Sequence, residues 1–292
     1  MITIAGRPNV GKSTLINALA GEKIAIVSRK PQTTRNRIFG VVNTAGAQIV
    51  LLDTPGFHKP RTKLGNYMAG VVRESVADVD AVLLLVEPIA NIGKQETLLL
   101  ERLRETGVPV ILVVNKLDIV KPEELLRVIA VYSEAYDFAA VVPISAQTGD
   151  GLDRLLGEIV KFASEGPWLF PEGVVTDQPE KQIISELVRE KLLLCLEREI
   201  PHGAAVEITK FSERGDPDDA VIDIDATIYC EKASHKGIII GKDGAMLKKI
   251  GQLARLDIER FMGARVFLTT WVKVRENWRD SETQLRSLGY DL

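Results

Sequence analysis

The chain has 292 residues, of which 46% are hydrophobic and 26% charged, and a formal net charge of −3. That balance excludes a disordered or fibrous chain, and the length exceeds what one core usually fills, so two soluble domains are expected. No apolar run reaches the roughly 18 residues that a spanning helix needs: "AVLLLVEPIA" from Ala81 is broken at Glu87 and Pro88, and Met1 opens no signal-peptide pattern.

From Met1 to about Phe162, short β-branched runs alternate with amphipathic helical stretches, the pattern of a mostly parallel sheet with crossover helices. In chain order the runs are "ITIAG", "RIFGVVN", "GAQIVLLD", "DAVLLLVE", "VPVILVVN" and "AAVVPIS". Few residues (Thr44 to Gly46) separate the second and third, so these two are expected to pair antiparallel. The stretch Ser164 to Glu180, "SEGPWLFPEGVVTDQPE", carries three prolines and two glycines without helical period and reads as a linker. It divides a domain of residues 1–165 from one of 179–292, with 166–178 between them and the boundary near Gly173. Beyond it come a helix ("EKQIISELVREKLLLCLEREI"), two strands joined by the acidic turn "RGDPDD", two helical pieces split at glycines, and the strand "ARVFLTTWVKV". This order makes the second domain a smaller α+β unit. Cys195 and Cys230 have no metal or redox spacing and read as reduced packing residues of a cytosolic protein.

The first chemistry sits at "GRPNVGKST". Gly6, Gly11, Lys12 and Ser13 fit G-x-x-x-x-G-K-[ST] between a strand and a helix, where free backbone N–H groups and the helix dipole cradle phosphates. Gly6, Asn9, Val10, Gly11, Lys12, Ser13 and Thr14 form this cradle. Lys12 is expected to reach the β- and γ-phosphates, and the Ser13 hydroxyl to bind Mg²⁺. "LLDTPGF" ends a strand at Asp53, whose carboxylate can hold Mg²⁺ through water, while the Gly56 N–H can meet a γ-phosphate. Between the two lies the polar, unpatterned "KPQTTRN", a switch loop whose threonine binds the metal; Thr34 is chosen, with Thr33 the alternative. The base is set by "NKLD", Asn115 to Asp118. The Asp118 carboxylate can accept from the N1–H and exocyclic amine of guanine, a donor pair adenine lacks. Lys116 shares this loop, and in "SAQ" the Ala146 N–H can meet the guanine O6 while Ser145 braces Asp118.

Together these segments resemble the translation-factor-like branch of small GTPases across the whole first domain. The resemblance implies hydrolysis of GTP to GDP and phosphate, with Lys12, Asn9, Thr34 and Gly56 in the catalytic set. Phe57 stands where Ras-like GTPases carry a water-orienting glutamine, so direct glutamine catalysis is excluded. Asn9 occupies the place where cation-activated members of this branch carry an asparagine that helps bind K⁺, a positive charge in lieu of an arginine finger. The alternative for Asn9 is a loop residue bonding its own backbone. His58 is assigned no role.

In the second domain, Gly241-Lys242-Asp243-Gly244 lies between helical pieces and fits the GXXG loop of KH domains, which clamps single-stranded RNA. Between Lys232 and Arg275 stand ten Lys/Arg against Asp243, Asp257 and Glu259, an excess of seven positive charges on an acidic chain. Lys236, Gly241, Lys242, Gly244, Lys248 and Lys249 are the RNA-binding candidates; Arg255 and Arg260 read as solvated helix charges. With strands before the loop, the order is similar to a type II KH domain. A guanine-specific GTPase domain joined to such a module resembles the bacterial Era family of ribosome-assembly GTPases, on "GRPNVGKSTL", "PQTTR", "DTPGFHKP", "NKLD", "VTDQPEKQIISELVREKLL" and "IPHGAAVEI". One departure is a phosphate loop that opens at Gly6 after a short first strand, which predicts a weakly held sheet edge. The resemblance implies binding of the 3′ end of 16S rRNA, a role in 30S subunit assembly, a cytoplasmic monomer and weak peripheral attachment to the cell membrane. The alternative is a membrane-surface switch whose basic face meets anionic lipid; that face is compact and glycine-broken rather than one amphipathic helix, which favours RNA.

Overall fold

The computed structural model describes residues 1–30, 32–55, 62–74, 79–215 and 220–290, with the backbone alone at 72–74. Gly56, Phe57 and His58 lie outside these residues. The chain divides into two compact units, one of Met1–Ala25, Thr34–Lys59 and Met68–Asp177, the other of Ile26–Thr33, Pro60–Tyr67 and Gln178–Leu292.

The first unit is built on strands β1 (Ile2–Ala5), β2 (Ile38–Asn43), β3 (Gln48–Asp53), β4 (Ala81–Val86), β5 (Val110–Val114) and β6 (Ala140–Pro143). They form one sheet in the order β2-β3-β1-β4-β5-β6, parallel except for the antiparallel β2–β3 pair. The apolar runs follow from burial on both faces. Along β4, Ala81, Leu83 and Leu85 enter the cluster that holds Leu15 and Ile16 of helix α1 (Lys12–Ala20), and Ile159 of α5 (Leu152–Val160). Val82, Leu84 and Val86 enter the opposite cluster with Leu99, Leu100 and Leu103 of α3 (Lys94–Thr106), and Val128 and Tyr132 of α4 (Pro122–Ala135). The period of two distributes a continuous hydrophobic run over two cores. The short β1 is no edge: it pairs with β3 on one side and β4 on the other, and all four residues are buried. The outer side of β2 is instead met by the segment expected to be a linker, where Val41 N–H donates to Val175 O (2.8 Å). Phe170 N–H also donates to Gln48 Oε1 on β3 (2.8 Å). A Pro/Gly-rich strap therefore occupies hydrogen-bonding groups that an open edge would present.

The second unit has a three-stranded sheet in the order β7-β8-β9, from β7 (Ala205–Arg214), β8 (Val221–Cys230) and β9 (Arg265–Val274), with β7–β8 antiparallel and β8–β9 parallel. Helices α6 (Glu180–Cys195), α7 (Ala233–Ile240) and α8 (Ala245–Met262) bury Leu187, Val188, Leu192, Ile239, Ile250, Ala254 and Ile258 against Ile224, Ala226, Ile228, Val266 and Val272. Past β9, a region with no assigned element in the sequence reading folds too: Trp278 is fully buried with its Nε1–H donating to Gly203 O (3.0 Å), and α9 (Glu282–Ser287) follows. Among the described residues, no helix is long and apolar enough to cross a membrane.

Leu84 is fully buried at the centre of the larger sheet. Leu84→Ala should destabilise the first unit by about 2–5 kcal/mol, read as a lower urea midpoint for amide protection in β4 and β5.

Candidate functional site

In the first unit the loops at the C-terminal ends of β1, β3, β5 and β6 carry the polar residues, as expected of a parallel α/β sheet. The loop after β1 runs into α1 through Gly11, whose φ of 103° is left-handed and whose pro-side-chain direction is filled by the Asn115 amide. Only glycine fits there. Gly11 provides no side-chain cap to α1, so the N–H groups of its first turn are left for an anion. Asn9 in the same loop also has a positive φ, 67°. Lys12 is buried, with Nζ donating to Gly6 O (3.1 Å) and Arg7 O (2.9 Å).

Three oxygens converge beside Lys12. Ser13 Oγ donates to Asp53 Oδ2 (2.7 Å), Thr34 Oγ1 lies 3.2 Å from that same carboxylate oxygen, and the two hydroxyls are 3.0 Å apart. Thr33 is turned elsewhere, donating through Oγ1 to Lys30 O (2.7 Å). Burial pushes the Asp53 carboxyl up, against the opposing pull of Lys12, Ser13 and Thr34; burial likewise pushes the Lys12 ammonium down, against Asp53. Asp53 Oδ1 is buried without a hydrogen-bond partner. A carboxylate and two hydroxyls offer hard oxygen donors, with one orphaned, which suits Mg²⁺ and its retained waters. Among the described residues, no cluster of three His, Cys, Asp or Glu offers a metal cage elsewhere.

The loop after β5 is fixed by Asn115, which is 3% exposed: Nδ2 donates to Val10 O (2.8 Å) and Oδ1 accepts from Ala146 N–H (2.9 Å). Ser145 Oγ donates to Asp118 Oδ1 (2.6 Å), and Leu117 N–H to Ile144 O (3.0 Å). The phosphate loop and the "NKLD" and "SAQ" loops therefore meet through side chains that face one another. Lys116 takes a left-handed φ of 68°, and its Nζ pairs with Glu87. Glu87 also reaches Arg7 Nη2 (3.4 Å), whose Nε pairs with Glu96. Sequence reasoning missed this acidic pair; the one signal was the charge at Glu87 directly after a buried strand. Burial and the neighbouring Glu96 push the Tyr132 phenol up to about 12.

In the second unit, the loop Gly241–Gly244 forms a tight turn between α7 and α8. Gly241 has φ 72° and ψ 176°, and a Cβ there would stand 2.7 Å from Met246 Cβ. Lys242, Lys248 and Lys249 are exposed around this turn, and Lys236 is half-buried one turn before it. Arg255 and Arg260 pair along α8 with Glu259 (3.2 Å) and Asp257 (3.3 Å). The segment Ile26–Thr33 lies on the last turns of α6. Ile26 enters the core, Val27 N–H donates to Glu190 Oε1 (2.9 Å), Lys30 Nζ donates to Leu193 O (2.5 Å) and Leu196 O, and Arg189 donates to Thr33 O. A lysine at the carbonyl end of α6 complements its dipole. Nothing in the composition of "IVSRKPQTT" announced this docking.

Residues 1–116 match the family described as 50S ribosome-binding GTPase, and residues 199–279 match the KH domain family. The chain is 52% identical to GTPase Era of Ruminiclostridium cellulolyticum and 52% identical to GTPase Era of Caldanaerobacter subterraneus subsp. tengcongensis, in each case over 99% of this chain and 96% of the relative. Among solved structures it resembles Aquifex aeolicus Era bound to GDP and AlF4⁻, and an Era in complex with MgGDPNP and nucleotides 1506–1542 of 16S ribosomal RNA. Each of these superposes with a TM-score of 0.94 at 36% identity, over 100% of this chain and 98% of the other.

Asn115→Ala removes both bonds of the buried junction and strands the Ala146 N–H. A loss of about 1–3 kcal/mol per abandoned group is expected, measured as faster amide exchange at Ala146 and a lower unfolding midpoint.

Proposed function

The chain belongs to the Era family of GTPases, and we propose that it is a GTP-hydrolysing switch that grips the 3′ end of 16S rRNA through its KH loop during 30S subunit assembly. GTP hydrolysis and the pairing of a GTPase domain with a KH domain are properties of the family; the RNA and the assembly step are the proposal. The observation that carries it is the solvent-open Gly241–Gly244 turn ringed by Lys242, Lys248 and Lys249. A relative of the same fold has been solved with nucleotides 1506–1542 of 16S rRNA. Such a turn lets a sugar–phosphate backbone approach the main chain closely while lysines neutralise phosphates, and the exposed Ile238 and Leu253 on the flanking helices offer apolar surface to unstacked bases.

At the nucleotide site we assign guanine reading to Asp118, braced by Ser145, with Asn115, Lys116 and the Ala146 N–H completing the base pocket. Gly6, Asn9, Val10, Gly11, Ser13 and Thr14 offer the phosphate cradle, in which Lys12 donates to phosphate oxygens and opposes charge that grows as the terminal phosphoryl group leaves. Ser13, Thr34 and Asp53 would hold Mg²⁺, which when bound neutralises phosphate charge. The Gly56 N–H is assigned to the γ-phosphate from its sequence position. Asn9 is assigned to an activating K⁺, on its place in the loop. Thr34 directly follows Ile26–Thr33, the segment that α6 holds, and we assign to this covalent continuity the passage of nucleotide state to the RNA-binding unit.

The test is fluorescence anisotropy with an oligonucleotide copying the 16S rRNA 3′ end, in GTP analogue and in GDP. Lys242→Glu/Lys249→Glu reverses charge without disturbing the glycine backbone, and should weaken RNA binding about tenfold or more. Binding that is equal in both nucleotide states, or unchanged in the variant, would sink the reading. Separately, GTP turnover should fall when Na⁺ replaces K⁺ at constant ionic strength; an unchanged rate would remove K⁺ from the account.

A further inference from the structure

Four charged residues of the first unit form a chain that the reading above does not use. Glu96 on α3 is 3% exposed and pairs with Arg7 Nε, while Arg7 Nη2 lies 3.4 Å from Glu87 Oε2. The other oxygen of Glu87, Oε1, pairs with Lys116 Nζ. Arg7 belongs to the phosphate loop, and its carbonyl accepts from Lys12. Lys116 stands between Asn115 and Asp118 in the loop after β5. Glu87 thus bridges the phosphate-loop arm and the base-loop arm from outside, while Asn115 joins Val10 to Ala146 from within.

The bridge falls where the backbone needs restraint. Lys116 is held at φ 68°, a left-handed conformation that disfavours a long side chain and persists only when surrounding interactions over-determine it. Its loop is restrained by the Leu117 N–H bond to Ile144 O, the Asn115 junction, the Ser145–Asp118 bond, and the carboxylate of Glu87 on the Lys116 ammonium itself. Glu87 in turn is shared with an arginine whose second partner is a buried carboxylate, so the quartet of two cations and two anions is neutral, partly exposed at Arg7, Glu87 and Lys116 and anchored in the interior at Glu96. Glu96 Oε2 and Arg7 Nε are both buried without a hydrogen-bond partner, so Arg7 and Glu96 meet as an ion pair.

We propose that Glu87 is a positioning residue for guanine nucleotide binding: it fixes Lys116, and through it the 115–118 loop, in the conformation that receives the base, and it ties that loop to the phosphate loop through Arg7. Glu96 is the buried anchor of the same bridge. Charge alone predicts the opposite sign for its removal, because taking a carboxylate away from the neighbourhood of a polyphosphate should tighten an anionic ligand. Positioning predicts weakening.

The experiment is a double-mutant cycle on the full chain, with the dissociation constant of a fluorescent GDP read for wild type, Glu87→Gln, Lys116→Ala and the pair. Glu87 is a quarter exposed in its side chain and glutamine keeps its shape, so the variant retains the fold, which a thermal melt checks. Glu87→Gln should weaken GDP about tenfold and should add nothing in the Lys116→Ala background. GDP binding that is unchanged or tighter in Glu87→Gln overturns the proposal. So does a full additional loss from Glu87→Gln when Lys116 is already alanine, since Glu87 would then act through something other than that lysine.

Discussion

A single buried carboxamide ties the nucleotide site together. Asn115 gives its amide hydrogen to the phosphate loop, 105 residues away at Val10, and takes one from the loop after β6, 31 residues away at Ala146, so three segments are fixed at one point. The requirement is strict because the side chain has almost no exposure and its polar atoms have no solvent to fall back on. From this follow the glycine at position 11, whose missing Cβ makes room for the amide, and the burial of Ala146. The parallel strands supply the platform: β1, β5 and β6, largely apolar, deliver the three loops to one rim with little freedom of their own.

Around that junction the site is held by charges that burial disfavours. Lys12 and Asp53 are both withdrawn from water, and each is pushed toward its neutral form while partly sustained by the other. The hydroxyls of Ser13 and Thr34 crowd the same carboxylate. Such an arrangement is poor as a resting structure and good as a receptacle, because phosphates and a divalent cation are the partners these groups lack. The second unit follows a different economy. Lys242, Lys248 and Lys249 sit in water around a glycine turn, where long-range attraction to a polyanion needs no buried charge.

Much of this was legible in residues. The apolar runs of β4 and β5, the phosphate loop, the "NKLD" and "SAQ" segments and the GXXG turn all carry local patterns, and local patterns survive in a linear reading. Thr34 is chosen over Thr33 from the loop alone; in the structure the Thr33 hydroxyl bonds Lys30 O, while Thr34 faces Ser13 and Asp53. What escaped was decided by partners distant in sequence. The stretch Ser164 to Glu180 has the composition of a linker, yet its Val175 carbonyl accepts from Val41 N–H on β2, the edge strand whose unpaired groups bond any backbone that reaches them, and its Phe170 N–H donates to the Gln48 side chain. The placement of Ile26–Thr33 on α6 and the Glu87 bridge to Lys116 leave no periodic trace, since the first depends on bonds 156 to 166 residues apart and the second on a pair 29 residues apart. The short first strand misled for the opposite reason: its length suggested weakness, but its position between β3 and β4 determines its stability.

The strain and charge gathered at Lys12, Asp53 and Lys116 bear on how the protein survives as well as on what it binds. A ligand that binds only the folded chain raises its stability with the logarithm of ligand concentration over the dissociation constant. Lys12 and Asp53, the groups that burial disfavours, are those that the proposed nucleotide and its metal would satisfy. The midpoint for unfolding of the first unit should therefore rise with the concentration of guanine nucleotide and Mg²⁺.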